Sequence, residues 1–148
     1  MASCTNDASD WRSRTKLLYG EEGSGLIASA AVFVAGLGAV GSFAVEALAR
    51  SGVGQMVLVD FDAVEPSNIN RQLYALHSTV GQYKAEVSAK RCLDINPALI
   101  VHPLCMTYDA AHRDAFFTVQ KFRAGPPVGC VIETIRHQRA FSLSMTGK

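Results

Sequence analysis

The chain has 148 residues, 49% of them hydrophobic, and its 14 basic and 13 acidic side chains leave a formal charge of +1. That length suits one domain with a real core and is short for two. The near-neutral balance gives no strong field to advertise a nucleic acid or a membrane surface as partner. Cys4, Cys92, Cys105 and Cys130 are scattered without a CxxC pair, and the opening "MASCTNDASDWRSR" has no apolar core of a secretory signal. A reducing, cytoplasmic setting with inert thiols is therefore expected.

In chain order, residues 1–13 read as a polar leader and 14–148 as one domain. "RTKLLYGEEGSGLIASA" predicts one or two short helices. Gly23 to Val45 carries no charge and is long enough to span a bilayer, but glycines at 23, 25, 36, 38 and 41 suit a soluble strand, turn and helix better than a membrane helix. "AVFVA", Ala31 to Ala35, predicts a strand buried on both faces. The period then changes, with Val40, Phe43, Ala44, Ala47 and Leu48 forming the apolar stripe of a helix that Gly52 and Gly54 end. "QMVLVDF" is a second buried strand, joined to the first by a right-handed parallel crossover.

"GQYKAEVSAKRCLDIN" predicts a helix burying Ala85, Ala89, Cys92 and Ile95 and stopped by Pro97. A third strand over Leu99–Met106, a helix over Ala111–Phe122 and a fourth strand over Gly129–Thr134 complete the alternation. The fold class is α/β, a doubly wound, Rossmann-like parallel sheet with helices on both faces.

Gly36, Gly38 and Gly41 form GxGxxG between a predicted strand and a predicted helix, where backbone N–H groups face an anion. Asp60 follows at about the expected twenty positions and is placed to accept hydrogen bonds from ribose hydroxyls; Asp62 is a second candidate contact. These features suit both NAD and ATP. "SNINRQ" tips the reading toward a polyphosphate, because Asn68, Asn70, Arg71 and Gln72 form a polar loop and Arg71 carries a planar fork for phosphate oxygens. Lys84 falls in the first turn of a helix, where a cation is disfavoured; an anion nearby would offset that placement.

The glycine turn, "DFD", "SNINRQ" and the lysine after "HSTVGQ", in that order, resemble the adenylating superfamily of ThiF and MoeB type, which includes ubiquitin-activating enzymes and the adenylyltransferases of thiamin and molybdopterin biosynthesis. "RTKLLYGEEG", "EALARSGVG", "NRQLYALHSTVGQYKAEV" and "DINP" look most like the tRNA threonylcarbamoyladenosine dehydratases. The likeness runs from about Arg14 to Pro97. It implies ATP and Mg²⁺ as cofactors and a carboxylate that attacks the α-phosphate, here the threonyl carboxylate of a modified adenosine in tRNA, followed by cyclisation with loss of water. It also implies that Gly36, Gly38 and Gly41 line the nucleotide, that Asp60 holds ribose, and that Asn68, Arg71, Gln72 and Lys84 handle phosphates. Arg14 matches an arginine that in related dimers reaches the partner's nucleotide, so a homodimer is implied; a sulfur-carrier or desulfurase-type partner is left open.

The chain also departs from that pattern. Where family members end their fourth strand with D-A-I-D, this chain has "VIETIR", so Glu133 takes the first acidic position as the candidate metal ligand and Arg136 replaces the second. The family continues past the end of this chain, which reads as a shortened or poorly active form. A non-catalytic nucleotide-binding partner of an intact paralogue is the alternative, and a nicotinamide-dependent oxidoreductase the third reading.

Overall fold

A computed structural model describes residues 10–108 and the backbone of residues 130–133. Helix α1 spans Ser13–Ser29 and is kinked at Gly20, where φ is 70°, so the predicted pair of short helices is one element with a break. Strand β1, Ala31–Ala35, is buried at all five positions, as its unbroken apolar run requires. Helix α2, Ala39–Ser51, follows the glycine turn and ends on Gly52, whose left-handed backbone lets its N–H reach the carbonyls of Leu48 and Ala49. Strand β2 is Gln55–Val59, helix α3 Lys84–Ile95, strand β3 Ile100–Leu104 and strand β4 Cys130–Glu133. The predicted helix over Ala111–Phe122 lies outside the described residues.

All strand pairings are parallel, in the order β3-β2-β1-β4. The chain steps from β1 outward to β3 and then returns to the other side of β1, so the reversal falls between β1 and β4. In open parallel sheets, ligands bind in the crevice outside the carboxyl ends of the strands at that reversal. Ala35 is in register with Glu133 there, directly before the glycine turn.

The main core lies between the sheet and α2 and α3, with Val34, Leu37, Met56 and Leu58 among its fully buried members. On the opposite sheet face, Phe33, Ala35, Val57 and Val59 pack with Leu104 and Tyr108. At the outer edge, Pro103 stands in β3 opposite Leu58.

Helix α3 buries the predicted stripe of Ala85, Ala89 and Cys92, with Ile95 packed against the core. Burial pushes the Cys92 thiol up to about 12, which makes it the inert thiol expected. Helix α2 differs from expectation. It buries Gly41, Ser42, Val45 and Ala49, while Val40 and Phe43 of the predicted stripe are 60% and 55% exposed. The reason is steric. A helix that starts on a glycine turn lies close to the sheet, and the face holding the third glycine and small residues permits that approach, so the larger apolar side chains point outward.

The end of α1 docks on the entry to β2. Gln55 donates to the Ala30 carbonyl at 3.1 Å, and a Cβ placed on Gly54 would fall inside the van der Waals radius of the Ala28 carbonyl oxygen. Among the described residues, no helix is long and apolar enough to cross a membrane. The uncharged stretch from Gly23 to Val45 is divided among α1, β1 and the start of α2.

Candidate functional site

The site is built where β1 and β2 end. Gly36 turns the chain with φ at 85°, a conformation that costs glycine little. Gly38 caps α2 at φ −71°, ψ −152°, so its backbone does not require glycine. A Cβ there would also meet, beyond its chain neighbours, no atom of the described residues within 4 Å. Neither strain nor packing within the described residues accounts for Gly38, and the space beside it can admit an outside group. The Gly38 N–H has no hydrogen bond to any described residue, leaving a donor beside the α2 N-terminus for an anion. Gly41 sits on the buried side of α2, where it serves packing.

Asp60, at the carboxyl end of β2 and 9% exposed, holds this turn together. Its Oδ2 accepts the Leu37 N–H at 2.7 Å and its Oδ1 the Asp62 N–H at 2.8 Å. It therefore clamps two loops as well as facing the crevice. Each carboxylate oxygen retains a lone pair for an outside hydroxyl.

Asp62 and Lys84 form an ion pair at 2.6 Å, with the Lys84 side chain 5% exposed and that of Asp62 40%. The Lys84 N–H also donates to the Asp62 carbonyl at 3.0 Å, and Val64 and Gly81 exchange backbone bonds with Gln82 and Val64 alongside. Lys84 is the first residue of α3. Its unfavourable place at a helix N-terminus is thus offset by an anion from the chain itself.

Burial divides the "SNINRQ" loop. Asn68 and Gln72 are each 3% exposed. Asn68 Oδ1 accepts the Glu65 N–H at 3.2 Å and its Nδ2 lies 3.3 Å from Ser67 Oγ, so its side chain is engaged within its own loop. Asn70 is exposed and Arg71 half-buried: Arg71 Nη1 donates to the Ser67 carbonyl at 2.6 Å and to Asn70 Oδ1 at 2.9 Å. Its other guanidinium nitrogens make no hydrogen bond to the described residues.

Arg14 is exposed on α1, apart from this hydrogen-bonded cluster. Glu133 is fixed by register at the crevice. Among the described residues, no three His, Cys, Asp or Glu side chains gather as a metal site. Arg136 lies outside the described residues.

Packing is half of what Tyr74 does. It is 2% exposed, and its hydroxyl donates to the Leu37 carbonyl in the glycine turn. The Gln72 amide lies 3.0 Å from the same hydroxyl. Burial, reinforced by the charges of Asp60 and then Asp62, raises this phenol above its ordinary range, so it remains a donor. One residue earlier, the Leu73 N–H donates to Ser42 Oγ at 3.3 Å. No periodicity marks these contacts, because they join residues 37 and 31 positions apart.

The tRNA threonylcarbamoyladenosine dehydratase of Bacillus subtilis is 50% identical over 105 residues, covering 71% of this chain and 41% of that protein. The Escherichia coli enzyme of the same name is 51% identical over 90 residues, covering 59% and 34%. The crystal structure of E. coli tRNA N6-threonylcarbamoyladenosine dehydratase in complex with ATP superimposes with a TM-score of 0.76 at 40% identity, covering 88% of this chain and 51% of that one. This chain thus spans about a third to a half of the length of these relatives. The family described as ThiF family matches residues 12–125, which take in the glycine turn, Asp60, the polar loop and Lys84. The chain belongs to the ThiF family.

Proposed function

We propose that this chain binds ATP with Mg²⁺ at the glycine turn and serves to activate a carboxylate by adenylation, with the threonyl carboxylate of N6-threonylcarbamoyladenosine in tRNA as the substrate. The observation that carries the reading is the open approach to Gly38 beside the reversal of the sheet, with a backbone donor that no described residue accepts and the buried Asp60 carboxylate on the adjoining strand end. It is supported by relatives that bear the dehydratase name at 50% and 51% identity and by the ATP complex of one of them.

In this reading, Asp60 accepts from the ribose hydroxyls through its remaining lone pairs. The amides at the start of α2 face the phosphates, and Arg71 presents its unengaged guanidinium nitrogens to them. A substrate carboxylate oxygen bonds to the α-phosphorus as the bond to the bridging oxygen breaks and pyrophosphate leaves. The barrier is largely repulsion between anions, which fixed cations lower. Lys84 supplies the second cation. Its partner Asp62 is 40% exposed, so water can solvate the carboxylate when the ammonium turns to phosphate. Asp62, Asn70 and Gln72 shape the loop around these groups. Mg²⁺ takes one or two carboxylates plus phosphate oxygens, which fits a lone Glu133 at the crevice better than a protein cage; when bound, it neutralises phosphate charge.

The assembly that goes with this reading is a homodimer. Val40 and Phe43 of α2 and Leu17, Leu18 and Leu26 of α1 are exposed apolar side chains, and Arg14 stands on α1 to reach a second copy's nucleotide. The expected compartment is the cytoplasm.

Calorimetry tests the first step: ATP binds, more tightly with Mg²⁺, and Arg71→Ala and Lys84→Ala each weaken it about tenfold, the order expected for loss of one charge-assisted contact. NADH binding tighter than ATP binding would overturn the reading. Pyrophosphate exchange that depends on threonylcarbamoyl-tRNA tests the second step. Arg136, at the place of a metal ligand, motivates the alternative of a non-catalytic nucleotide-binding subunit, which predicts ATP binding with no exchange.

A further inference from the structure

Leu37 anchors the glycine turn, its side chain fully buried in the core. It lies between Gly36, at φ 85°, and Gly38, at ψ −152°, and neither neighbour has a Cβ to restrict it. Its orientation is fixed from two sides by groups distant in sequence. Asp60 takes the Leu37 N–H, and the Tyr74 hydroxyl donates to the Leu37 carbonyl.

We propose that Tyr74 is a positioning residue for anion recognition, holding the glycine turn so that the Gly38 N–H faces the phosphate position; this rests on the nucleotide-binding reading above. The Leu37 carbonyl and the Gly38 N–H belong to one planar trans peptide and point in opposite directions. Fixing the carbonyl against the buried Tyr74 therefore aims the N–H away from that side chain, and no described residue accepts it. The same contact sets the polar loop. Tyr74 stands three residues after Arg71, and the bond from Leu73 to Ser42 Oγ straps the intervening chain to α2. Turn and loop thus move as one body, with the backbone donor and the guanidinium in fixed relation.

The role separates phosphate from nucleoside. The Tyr74 hydroxyl bonds the Leu37 carbonyl and Gln72 and makes no hydrogen bond to Asp60, so it matters more for a ligand that carries phosphates than for one that does not. Tyr74→Phe retains the buried ring and removes the donor. Calorimetry should show ATP affinity reduced about tenfold, ~1.4 kcal/mol, with adenosine affinity changed less than twofold. Hydrogen exchange without nucleotide should show the Leu37 amide opening at least fivefold faster. Ser42→Ala, which leaves the Tyr74 ring in place, should give the same pattern at smaller size.

Equal losses for ATP and adenosine, or an unchanged Leu37 exchange rate in Tyr74→Phe, would reduce Tyr74 to a packing residue and overturn the proposal. Wild-type protein that binds neither ligand would overturn the nucleotide reading and this role together. That failure is distinct, because it is seen before any substitution is made.

Discussion

Helices α2 and α3 cover the same face of the sheet and are seated by opposite means. Helix α2 is seated by a face of mostly small residues: Gly41, Ser42 and Ala49 are buried along with Val45, and just past its carboxyl end Gly54 receives the backbone of α1. Helix α3 is seated by polar bonds. Lys84 pairs with Asp62 at its start, Arg91 pairs with Glu46 of α2 at its middle, and at its end Asn96 donates to the Val53 carbonyl at 3.1 Å. The first helix should therefore respond to added volume and the second to lost charge or lost donors.

The comparison breaks most readily at Gly54. Gly54→Ala forces the carbonyl of Ala28 to move, and an overpacked backbone contact of this kind should cost about 3 kcal/mol, read as a lower denaturant midpoint at unchanged slope. A loss under ~1 kcal/mol would mean that α1 docks elsewhere. Next is Asn96→Ala, which leaves the buried Val53 carbonyl without its donor and should cost roughly 1–3 kcal/mol. Stability like the wild type would show that water serves that carbonyl instead.

Glu46 gives the pH arm. The side-chain bond from Arg91 outweighs burial and, with Arg50, holds its carboxyl below 4.5. A depressed carboxylate contributes stability that is fully present above pH 4.5 and lost as pH falls through the lowered value. Arg91 is 38% exposed and solvent screening discounts the pair, so Glu46→Gln should cost about 1 kcal/mol at pH 7 and nearly nothing in strong acid. A cost that is flat across that range would remove the ion pair from the seating of α3. The smallest effect is expected at Phe43→Ser on the outward face of α2, within about 0.5 kcal/mol of wild type for the monomer. Sedimentation should show it shifting any dimer toward monomer, and an unchanged assembly state would take Phe43 off the dimer surface.

These two helices also mark what could be read from residues alone. The stripe of α3 was legible because its apolar positions and its buried face coincide, and Pro97 marked its end. The stripe of α2 was misread because period alone favours the larger side chains, Val40 and Phe43, whereas the glycine turn dictates which face can approach the sheet. Asp60 and the turn were legible from spacing. The polar partners were not: Lys84 finds Asp62, and Tyr74 finds Leu37, through loop paths that no local pattern encodes. Within "SNINRQ", residue type suggested one polar cluster, but burial puts Asn68 and Gln72 inside, Asn70 outside and Arg71 between them.

Pro103 in β3 has a consequence for how this sheet meets other chains. Ile100 directs its N–H inward to the Gly54 carbonyl, and because donors alternate along a strand, position 103 would direct its own outward. Proline has none to give. A foreign strand laid along that margin would lack a rung, which guards the molecule against templated self-assembly from this side.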